Sequence, residues 1–190
     1  MMSKICVVYY SGYGHTAKLA QSVLEGARQV SSQVQECRID AEGQLSEADW
    51  QALAEADAII YGSPTYMGGP AWQFKKFADA SSKPWFSQQW KDKIAAGFTN
   101  SASTNGDKYV TLQYIWTLSQ QHGQIWVGTG LMPSNAMAHG PESVNWTAGF
   151  GGLMSISPSD ASPEQAPRSG DLETARLFGA RIAEVAKRLR

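Results

Sequence analysis

The sequence has few of the residues that build metal sites and disulfide frameworks. Its 190 residues include two cysteines, Cys6 and Cys37, and three histidines. The cysteines are far apart in the chain, form no C-x-x-C pair and have no histidines at zinc-binding spacing, so we predict no bound metal. A chain without structural disulfides is typical of the cytoplasm, which is the location we expect.

Neither sign of charge dominates, and long apolar runs are missing. The 16 Lys and Arg residues nearly balance the 17 Asp and Glu residues, which leaves a formal net charge of −1. This balance gives no field that would attract nucleic acid or anionic lipid. No apolar run reaches the roughly 20 residues of a membrane span, and no secretory signal is visible. We therefore expect no nucleic-acid partner and no membrane span.

What the chain does contain is enough apolar material for one core. Hydrophobic residues make up 43% of the sequence, a fraction that disfavours disorder. The length suits one well-buried domain and is too short for two ordinary ones. We predict a single domain over residues 1–190.

Apolar runs alternate with amphipathic segments along the chain. The runs predict strands over residues 4–10, 34–39, 58–61, 93–98 and 124–127. The first of them is almost continuously apolar, which is typical of a strand buried on both faces. Helical spacing predicts a helix after residue 14, with its apolar stripe at Ala20, Val23, Leu24, Ala27 and Val30, and further helices over residues 45–55, 71–80, 109–121 and 172–189. This alternation predicts a parallel sheet covered by helices on both faces.

One segment breaks the alternation. Residues 128–170 are rich in Gly, Pro, Ser and Asn and have no sustained period. A loop region of this length is unusual in a compact domain and is often functional or part of a subunit contact.

The first predicted strand ends in Ser11-Gly12-Tyr13-Gly14-His15-Thr16. Two glycines allow backbone N–H groups to turn inward, two hydroxyls add donors, and a helix N-terminus follows. Together these features indicate a phosphate cradle that needs no lysine. The plainer alternative is a glycine-rich turn that joins strand to helix.

The same loop also contains Gly12-x-Gly14-x-x-Ala17, which matches the dinucleotide-binding fingerprint. Asp40 lies near the end of the second strand, at the distance expected of a ribose-binding acid. An NAD(P)-binding domain is therefore a rival interpretation. No Gly-Lys-Ser/Thr follows, which argues against nucleoside-triphosphate hydrolysis.

Two more loops follow predicted strands. Residues 62–70 combine backbone donors with Tyr66 and Met67, a surface that suits a flat ring with polar edges. Residues 99–106 are small and polar and leave room beside a ligand. The alternatives are a turn with Met67 as a gap filler and a helix-capping turn before Tyr109. Ligands bind at such strand ends in open parallel sheets.

In this order the three loops resemble those of the flavodoxin-like NAD(P)H:quinone oxidoreductases, the tryptophan-repressor-binding-protein family of FMN flavoproteins. The likeness runs from about Lys4 to Leu189. It is carried by Tyr9-Tyr10-Ser11-x-Tyr13-Gly14-His15, Gly62-Ser63-Pro64-Thr65, Trp116-Thr117 with His122-Gly123, and Pro163 followed by Glu173-x-Ala175-Arg176. The resemblance implies a flavodoxin-like three-layer sandwich, with five parallel strands in the order 2-1-3-4-5.

The resemblance also implies the cofactor and its contacts. FMN is expected as the bound cofactor, NADH or NADPH as co-substrate and a quinone as acceptor, with ping-pong hydride transfer. Residues 11–16 would hold the phosphate, Tyr13 would mark the nicotinamide entrance and Trp85 would border the quinone site. The full set of expected cofactor contacts is Ser11, Gly12, Tyr13, Gly14, His15, Thr16, Pro64, Thr65, Tyr66, Met67, Gly68, Thr99, Asn100, Ser101, Ala102, Ser103, Asn105, Gln121 and His122.

Some positions depart from the family pattern. The family often has Thr-Arg-Phe-Gly where this chain has Thr65-Tyr66-Met67-Gly68, and its third loop is richer in glycine. A family histidine that approaches the flavin aligns with Gln121, beside His122. His122 and His139 are candidate proton donors, with a structural role as the alternative. These departures leave FMN binding as expected but open the substrate preference.

The family is also expected to assemble, as a homotetramer or a homodimer whose flavin site is completed by a neighbouring chain. In agreement, Trp85, Phe86 and Trp90 cluster in a polar stretch, and residues 128–170 add Trp146 and Phe150. Exposed aromatic surface of this kind marks contacts or binding sites. The alternatives are that these residues fold over the domain's own core, and that the protein is a flavodoxin-type electron carrier without quinone reductase activity.

Overall fold

The computed structural model describes residues 2–189. The elements follow one another in the order β1 (Ile5–Tyr9), α1 (His15–Arg28), β2 (Val34–Arg38), α2 (Glu47–Glu55), β3 (Ala58–Tyr66), β4 (Gly69–Pro70), α3 (Trp72–Ala80), α4 (Ser82–Phe86), β5 (Ile94–Ser101), α5 (Lys108–Gln121), β6 (Ile125–Trp126), β7 (Leu153–Ile156) and α6 (Ser169–Arg188). The main strands are parallel and lie in the order β2-β1-β3-β5-β6. The predicted order 2-1-3-4-5 and the flavodoxin-like architecture are confirmed.

The continuous apolar run of β1 is explained by its two buried faces. Ile5 and Val7 pack with α1 and α6, whereas Cys6 and Val8 pack on the other side with residues of α2, α3 and α5. Because successive strand side chains point to opposite faces, only a run without alternation fills both sides. The three layers follow directly from this pattern.

Helices α1 and α6 pack with their backbones close to each other. A Cβ atom added to Gly26 of α1 would lie 1.8 Å from the carbonyl oxygen of Arg176. One added to Gly179 of α6 would lie 2.0 Å from the carbonyl oxygen of Val23. Backbone meets backbone here because neither helix carries a side chain at the crossing.

The fifth strand of the sheet is made in two pieces, which corrects the expectation for residues 128–170. β6 pairs with Ile94 and Ala95 at the start of β5, and β7 pairs with residues 98–101 at its end. The chain between them, residues 127–152, is an insertion within this edge strand. The prediction missed β7 because its four residues show no period distinct from the surrounding loop.

The third strand is longer than predicted and runs through Gly62-Ser63-Pro64 to Tyr66. Proline is tolerated there because β1 has already ended on that side. The last pair between β1 and β3 joins Tyr9 to Gly62, and the carbonyl of Gly62 accepts the Tyr10 N–H at 3.1 Å. Pro64 faces the same, now open, side two residues later, so its missing N–H removes no ladder bond.

Two tryptophans differ from expectation. Trp90, which we expected to be exposed, is 1% accessible and stacks with Trp50 and Phe77. Trp72, whose apolar ring favoured a place facing inward from the helix predicted over residues 71–80, is exposed instead, while Phe74 and Phe77 fill the core. Trp85 and Phe86 on the short helix α4 are exposed as expected.

Candidate functional site

A cavity of about 590 Å³ opens where β1, β3, β5 and β7 end. Strand ends at which the order reverses are the usual ligand sites of open parallel sheets. Fourteen side chains from all three predicted loops and from the segment after β7 line it, namely Tyr13, His15, Thr16, Pro64, Thr65, Tyr66, Asn100, Ser101, Ala102, Ser157, Pro158, Ser159, Ala161 and Pro163. The first nine of these were predicted from the sequence.

Another cavity of about 590 Å³ lies between α2 and α4 and contains none of the predicted site residues. It is lined by Trp50 together with residues of mixed charge and polarity, among them Glu47 and Lys83. Because no strand residue and none of the three predicted loops lines it, we assign the candidate site to the cavity at the strand ends.

One end of the site is built for an anion. Within residues 2–189, no hydrogen bond uses the backbone N–H groups of Tyr13, Gly14, His15 or Thr16, which surround the start of α1. The Ser11 hydroxyl accepts the Ala17 N–H in the first turn of α1 at 3.0 Å, so Ser11 satisfies one helix N–H and still has its own proton to donate. Free N–H groups and the helix dipole at this point favour a phosphate.

The segment after β7 closes this end, and its role was not predicted beyond Pro163. His15 Nε2 lies 2.9 Å from the Ala161 carbonyl oxygen, and Lys18 Nζ donates to the Glu164 carbonyl at 2.9 Å. A Cβ on Gly14, whose φ is +91°, would lie 2.7 Å from Pro163 Cγ. The missed contacts at Ser157, Pro158, Ser159 and Ala161 would have followed from recognising β7, since they come directly after it.

The opposite wall is fixed by buried hydroxyl groups. The hydroxyl of Thr65 is hydrogen-bonded to Thr99 at 2.8 Å and to Thr111 at 2.7 Å. Thr99 was expected to contact the cofactor, but it is fully buried and supports Thr65 from behind. Asn100 Oδ1 accepts from the hydroxyls of Ser155 and Ser157 at 2.8 and 2.9 Å. The amide N–H groups of Asn100 can therefore be offered to a ligand.

The third loop is organised by a residue that the sequence analysis did not single out. Lys108 Nζ donates to Ser101 Oγ, to the Ser103 carbonyl and to the Thr104 carbonyl at 3.0, 2.6 and 2.9 Å. Ser103 and Asn105 consequently shape the loop without lining the cavity. Burial lowers the pKa of Lys108 to about 8, opposed by the nearby charge of Asp171.

Two tyrosines form the mouth. The rings of Tyr13 and Tyr66 meet edge to face, with centroids 6.0 Å apart. Burial, with smaller contributions from Tyr10 and Tyr13, raises the pKa of Tyr66 to about 12. Met67 and Gly68 form the turn after Tyr66, both with positive φ, and do not line the cavity. Gly12 lies beneath Tyr66, since a Cβ there would sit 2.7 Å from its hydroxyl.

Four predicted residues lie in parts of the chain away from the loops that form this cavity. Gln121 and His122 lie at the far end of α5, whose 14 residues span about 20 Å. Trp85 lies on α4, which follows α3 and lies near the opposite end of the strands, where β5 begins. His139 is exposed in the insertion, where its Nδ1 accepts the Ala136 N–H at 3.2 Å. Sequence position could not reveal which end of an element faces the site.

His122 has a structural environment instead of a catalytic one. The Ser81 hydroxyl donates to the Ala78 carbonyl at 2.6 Å and therefore accepts the Nε2 proton of His122 at 2.9 Å. The imidazole is 2% accessible and packs against Trp90, with ring centroids 4.4 Å apart. Burial lowers the pKa of His122 from 6.5 to about 4. The neutral form is thus part of the folded core.

This environment predicts a loss of stability on mild acidification. Above pH 6.5 His122 is neutral in both the folded and the unfolded chain; between 6.5 and about 4 only the unfolded chain takes up the proton. The free energy of unfolding should fall by about 3 kcal/mol across this window through His122 alone. Urea denaturation of the protein and of His122→Gln at several pH values measures the contribution as the difference between the two curves.

The exposed His139 supplies the control. His139→Gln should reproduce the wild-type pH profile. An H122Q profile parallel to that of the wild type between pH 7 and 4 would show that His122 does not hold a neutral buried site.

Asp40, the candidate ribose-binding acid of the rival interpretation, is hydrogen-bonded within its own turn. Asp40 Oδ1 accepts the backbone N–H groups of Glu42 and Gln44 at 2.9 and 2.8 Å. Its carboxylate thus stabilises the chain after β2 and faces no cavity at the strand ends. The geometry favours the three-loop site over a dinucleotide half-domain.

Comparison with known proteins agrees with this geometry. The family model described as NADPH-dependent FMN reductase matches residues 11–136. The chain is 50% identical to Flavodoxin FldP of Pseudomonas aeruginosa over 99% of both chains, and 34% identical to an NAD(P)H dehydrogenase (quinone) of Rhizobium rhizogenes, again over 99% of both. Fold and site together define a flavodoxin-like protein.

Solved structures agree. The crystal structure of a flavodoxin, a WrbA-like protein from Agrobacterium tumefaciens, superposes with a TM-score of 0.80 at 52% identity over 99% of both chains. A flavodoxin from the domain Archaea, at 22% identity and a TM-score of 0.64, shows the same fold. The chain belongs to the FMN reductase family and, within it, to the WrbA-like flavoproteins, which confirms the resemblance seen in the sequence.

The residues present fit FMN, the cofactor of this family. A cavity of about 590 Å³ is within the range of cofactor sites. None of the described residues that line it carries a carboxylate that would repel a phosphate, and the free N–H groups at α1 suit the phosphate end. The tyrosine mouth and the side-chain amide of Asn100 suit a flat ring with polar edges. Among the described residues, no group of His, Cys, Asp and Glu could hold a metal ion.

Proposed function

We propose that this protein binds FMN in the cavity at the strand ends and uses it to reduce quinones by two electrons at the expense of NADH or NADPH. The observation that carries the proposal is the row of unpaired N–H groups at α1, which opens into a cavity with a tyrosine mouth. A phosphate at one end and a flat ring at the other match the two parts of FMN.

When bound, FMN supplies the hydride and electron transfer itself. The chain's residues bind and orient it. The loop at residues 11–16 holds the phosphate, Thr65 and Asn100 border the ring, and Tyr13 and Tyr66 offer an aromatic surface at the entrance. Nicotinamide and quinone would use this entrance in turn, which gives ping-pong kinetics. His15, held at the Ala161 carbonyl, lines the phosphate end, so protons for the product are expected from solvent at the mouth.

A second function is favoured by the relative named Flavodoxin FldP. In that case the protein would carry electrons between other proteins and would not oxidise NAD(P)H with a quinone itself. The near-neutral charge of −1 supports the enzyme, because flavodoxin carriers are usually strongly acidic.

The two functions are separated by one set of measurements. Purified protein should be yellow or take up FMN in titration, and the released cofactor should have the mass of FMN. Steady-state oxidation of NADH and NADPH with a benzoquinone acceptor should then give parallel double-reciprocal lines. If the FMN-bound protein does not oxidise NADH or NADPH with the quinone but accepts electrons from a flavodoxin reductase, it is an electron carrier. A protein that takes up no FMN refutes both functions.

We also propose that the protein works as a homotetramer or homodimer in which a neighbouring copy completes the site. Trp85 and Gln121 are exposed at the edge opposite their own cavity, so they can border a flavin only on another copy. Exposed Tyr109 and Trp116 line a common groove with Trp126 and form a further apolar surface. Sedimentation at micromolar concentration tests the assembly, and a monomer with full quinone reductase activity contradicts it.

We place the protein in the cytoplasm, in keeping with its two free, buried cysteines. None of the helices within residues 2–189 has the length and apolar character that a bilayer crossing requires.

A further inference from the structure

A buried ammonium group lies directly behind the candidate cofactor site. Lys108 is 1% accessible, and its three hydrogen bonds go to Ser101, Ser103 and Thr104. Ser101 lines the cavity, so the charge is one hydrogen bond away from the surface that a ligand meets. Gly106 and Asp107 adopt positive φ to bring the chain around the ammonium. The loop of residues 101–107 is therefore closed around a cation.

The charge of Lys108 is not neutralised by contact. In the part of the chain that the structure describes, no carboxylate lies within salt-bridge distance of its ammonium. The carboxylate whose charge acts on the ammonium is that of Asp171, which is 4% accessible in the first turn of α6 and whose Oδ2 accepts the Ile156 N–H at 2.9 Å. Ile156 precedes Ser157, which lines the cavity. Charges of opposite sign thus stand behind two walls of one site.

Holding carbonyl groups does not by itself require this position. Lys93 does the same at the other end of β5, where its ammonium donates to the Leu53 and Ala54 carbonyls at 2.9 and 2.5 Å. Lys93 stabilises the end of α2 far from the cavity. Lys93 is therefore a suitable control, because it makes the same kind of hydrogen bonds to carbonyl groups but lies away from the proposed FMN site.

We propose that Lys108 is a positioning residue of the FMN site, whose buried charge makes the site bind reduced FMN more tightly, relative to oxidised FMN, than the loop geometry alone would. The inference rests on the proposed binding of FMN. Uptake of two electrons and one proton leaves the flavin ring with one additional negative charge. A cation behind the wall attracts that charge, and burial keeps the attraction from being screened by solvent.

Asp171 should act in the opposite sense. Burial raises the pKa of Asp171 to about 6, whereas the pKa of Lys108 is about 8. Both groups are therefore mainly charged at pH 7. Removing the carboxylate should strengthen, and removing the ammonium should weaken, the preference for reduced FMN. A role limited to folding would not reverse sign between two buried residues.

The test compares Lys108→Met, Lys108→Arg, Asp171→Asn and the control Lys93→Met at pH 7. Anaerobic titrations give the dissociation constants for oxidised and dithionite-reduced FMN, and spectroelectrochemistry gives the midpoint potential. In K108M the ratio of oxidised to reduced dissociation constants should fall at least tenfold, which makes the potential about 30 mV more negative for a two-electron couple. In D171N the ratio should rise, and in K108R it should stay within a few-fold of the wild type.

K93M should unfold more easily but keep the wild-type ratio. An unchanged ratio in K108M, or an equal change in K93M, overturns the inference while leaving FMN binding intact. If K108M does not fold, D171N carries the test alone, and a ratio that stays or falls in D171N also overturns it. A wild-type protein that takes up no FMN refutes the proposed function itself.

Discussion

Replacing Ser11 and Thr16 together by alanine should weaken FMN binding by about a hundredfold or more. Each hydrogen bond to a charged phosphate contributes about 1.5–3 kcal/mol, and two lost bonds, allowing for non-additivity, correspond to that change in affinity. The Thr16 side chain lines the cavity, and the Ser11 hydroxyl has a proton left after accepting from Ala17. Fluorescence titration of FMN into the cofactor-free proteins measures the effect.

Because the Ser11 hydroxyl also accepts the Ala17 N–H in the first turn of α1, the double variant should lose about 1 kcal/mol of stability as well. Thr117→Ala is the matched control, since its hydroxyl bonds the Gln113 carbonyl on the exposed side of α5. The control should bind FMN as the wild type does. A double variant with an unchanged dissociation constant would place the phosphate elsewhere.

Changing Gly26 to alanine should destabilise the fold by about 3 kcal/mol. Glycine to alanine inside a helix ordinarily stabilises by about 0.5–1 kcal/mol, so the expected sign is reversed. The reason is the contact of 1.8 Å that the new Cβ would make with the Arg176 carbonyl, which cannot move without displacing α6. Gly179→Ala, on the facing helix, should have an effect of similar size. Urea denaturation measures both.

The open surroundings of Gly140 provide the comparison, because a Cβ there meets no atom within 4 Å. Gly140→Ala should leave the unfolding midpoint nearly unchanged. Since α1 also carries the phosphate end of the site, the Gly26 variant should bind FMN more weakly than the wild type. A G26A protein as stable as the wild type would mean that α1 and α6 can separate without loss.

The layered fold and most of the site were predictable because their signals are local. The unbroken apolar run of β1 predicts a strand with two buried faces, and the glycines and hydroxyls of residues 11–16 predict an anion site at a helix start. Both depend on neighbours in the chain. The resemblance to a known family then supplied the cofactor. It was not able to supply the places of Gln121 and Trp85, which their own chain carries to the opposite edge.

The sequence by itself determined the order of elements, the parallel sheet and the three loops at the carboxyl ends of the strands. These features depend on hydrophobic period and on turn residues, and both can be recognised from residues that are close together in the chain. The tertiary structure alone decided the rest. β7 exists because the open edge of β5 accepts its four residues. Trp90 is buried because Trp50 and Phe77, distant in sequence, stack on it. Lys108 lies behind the wall of the candidate cofactor site because residues 101–107 fold back around its ammonium. A hydrophobic pattern in the sequence cannot predict a lysine that is held by backbone carbonyl oxygens.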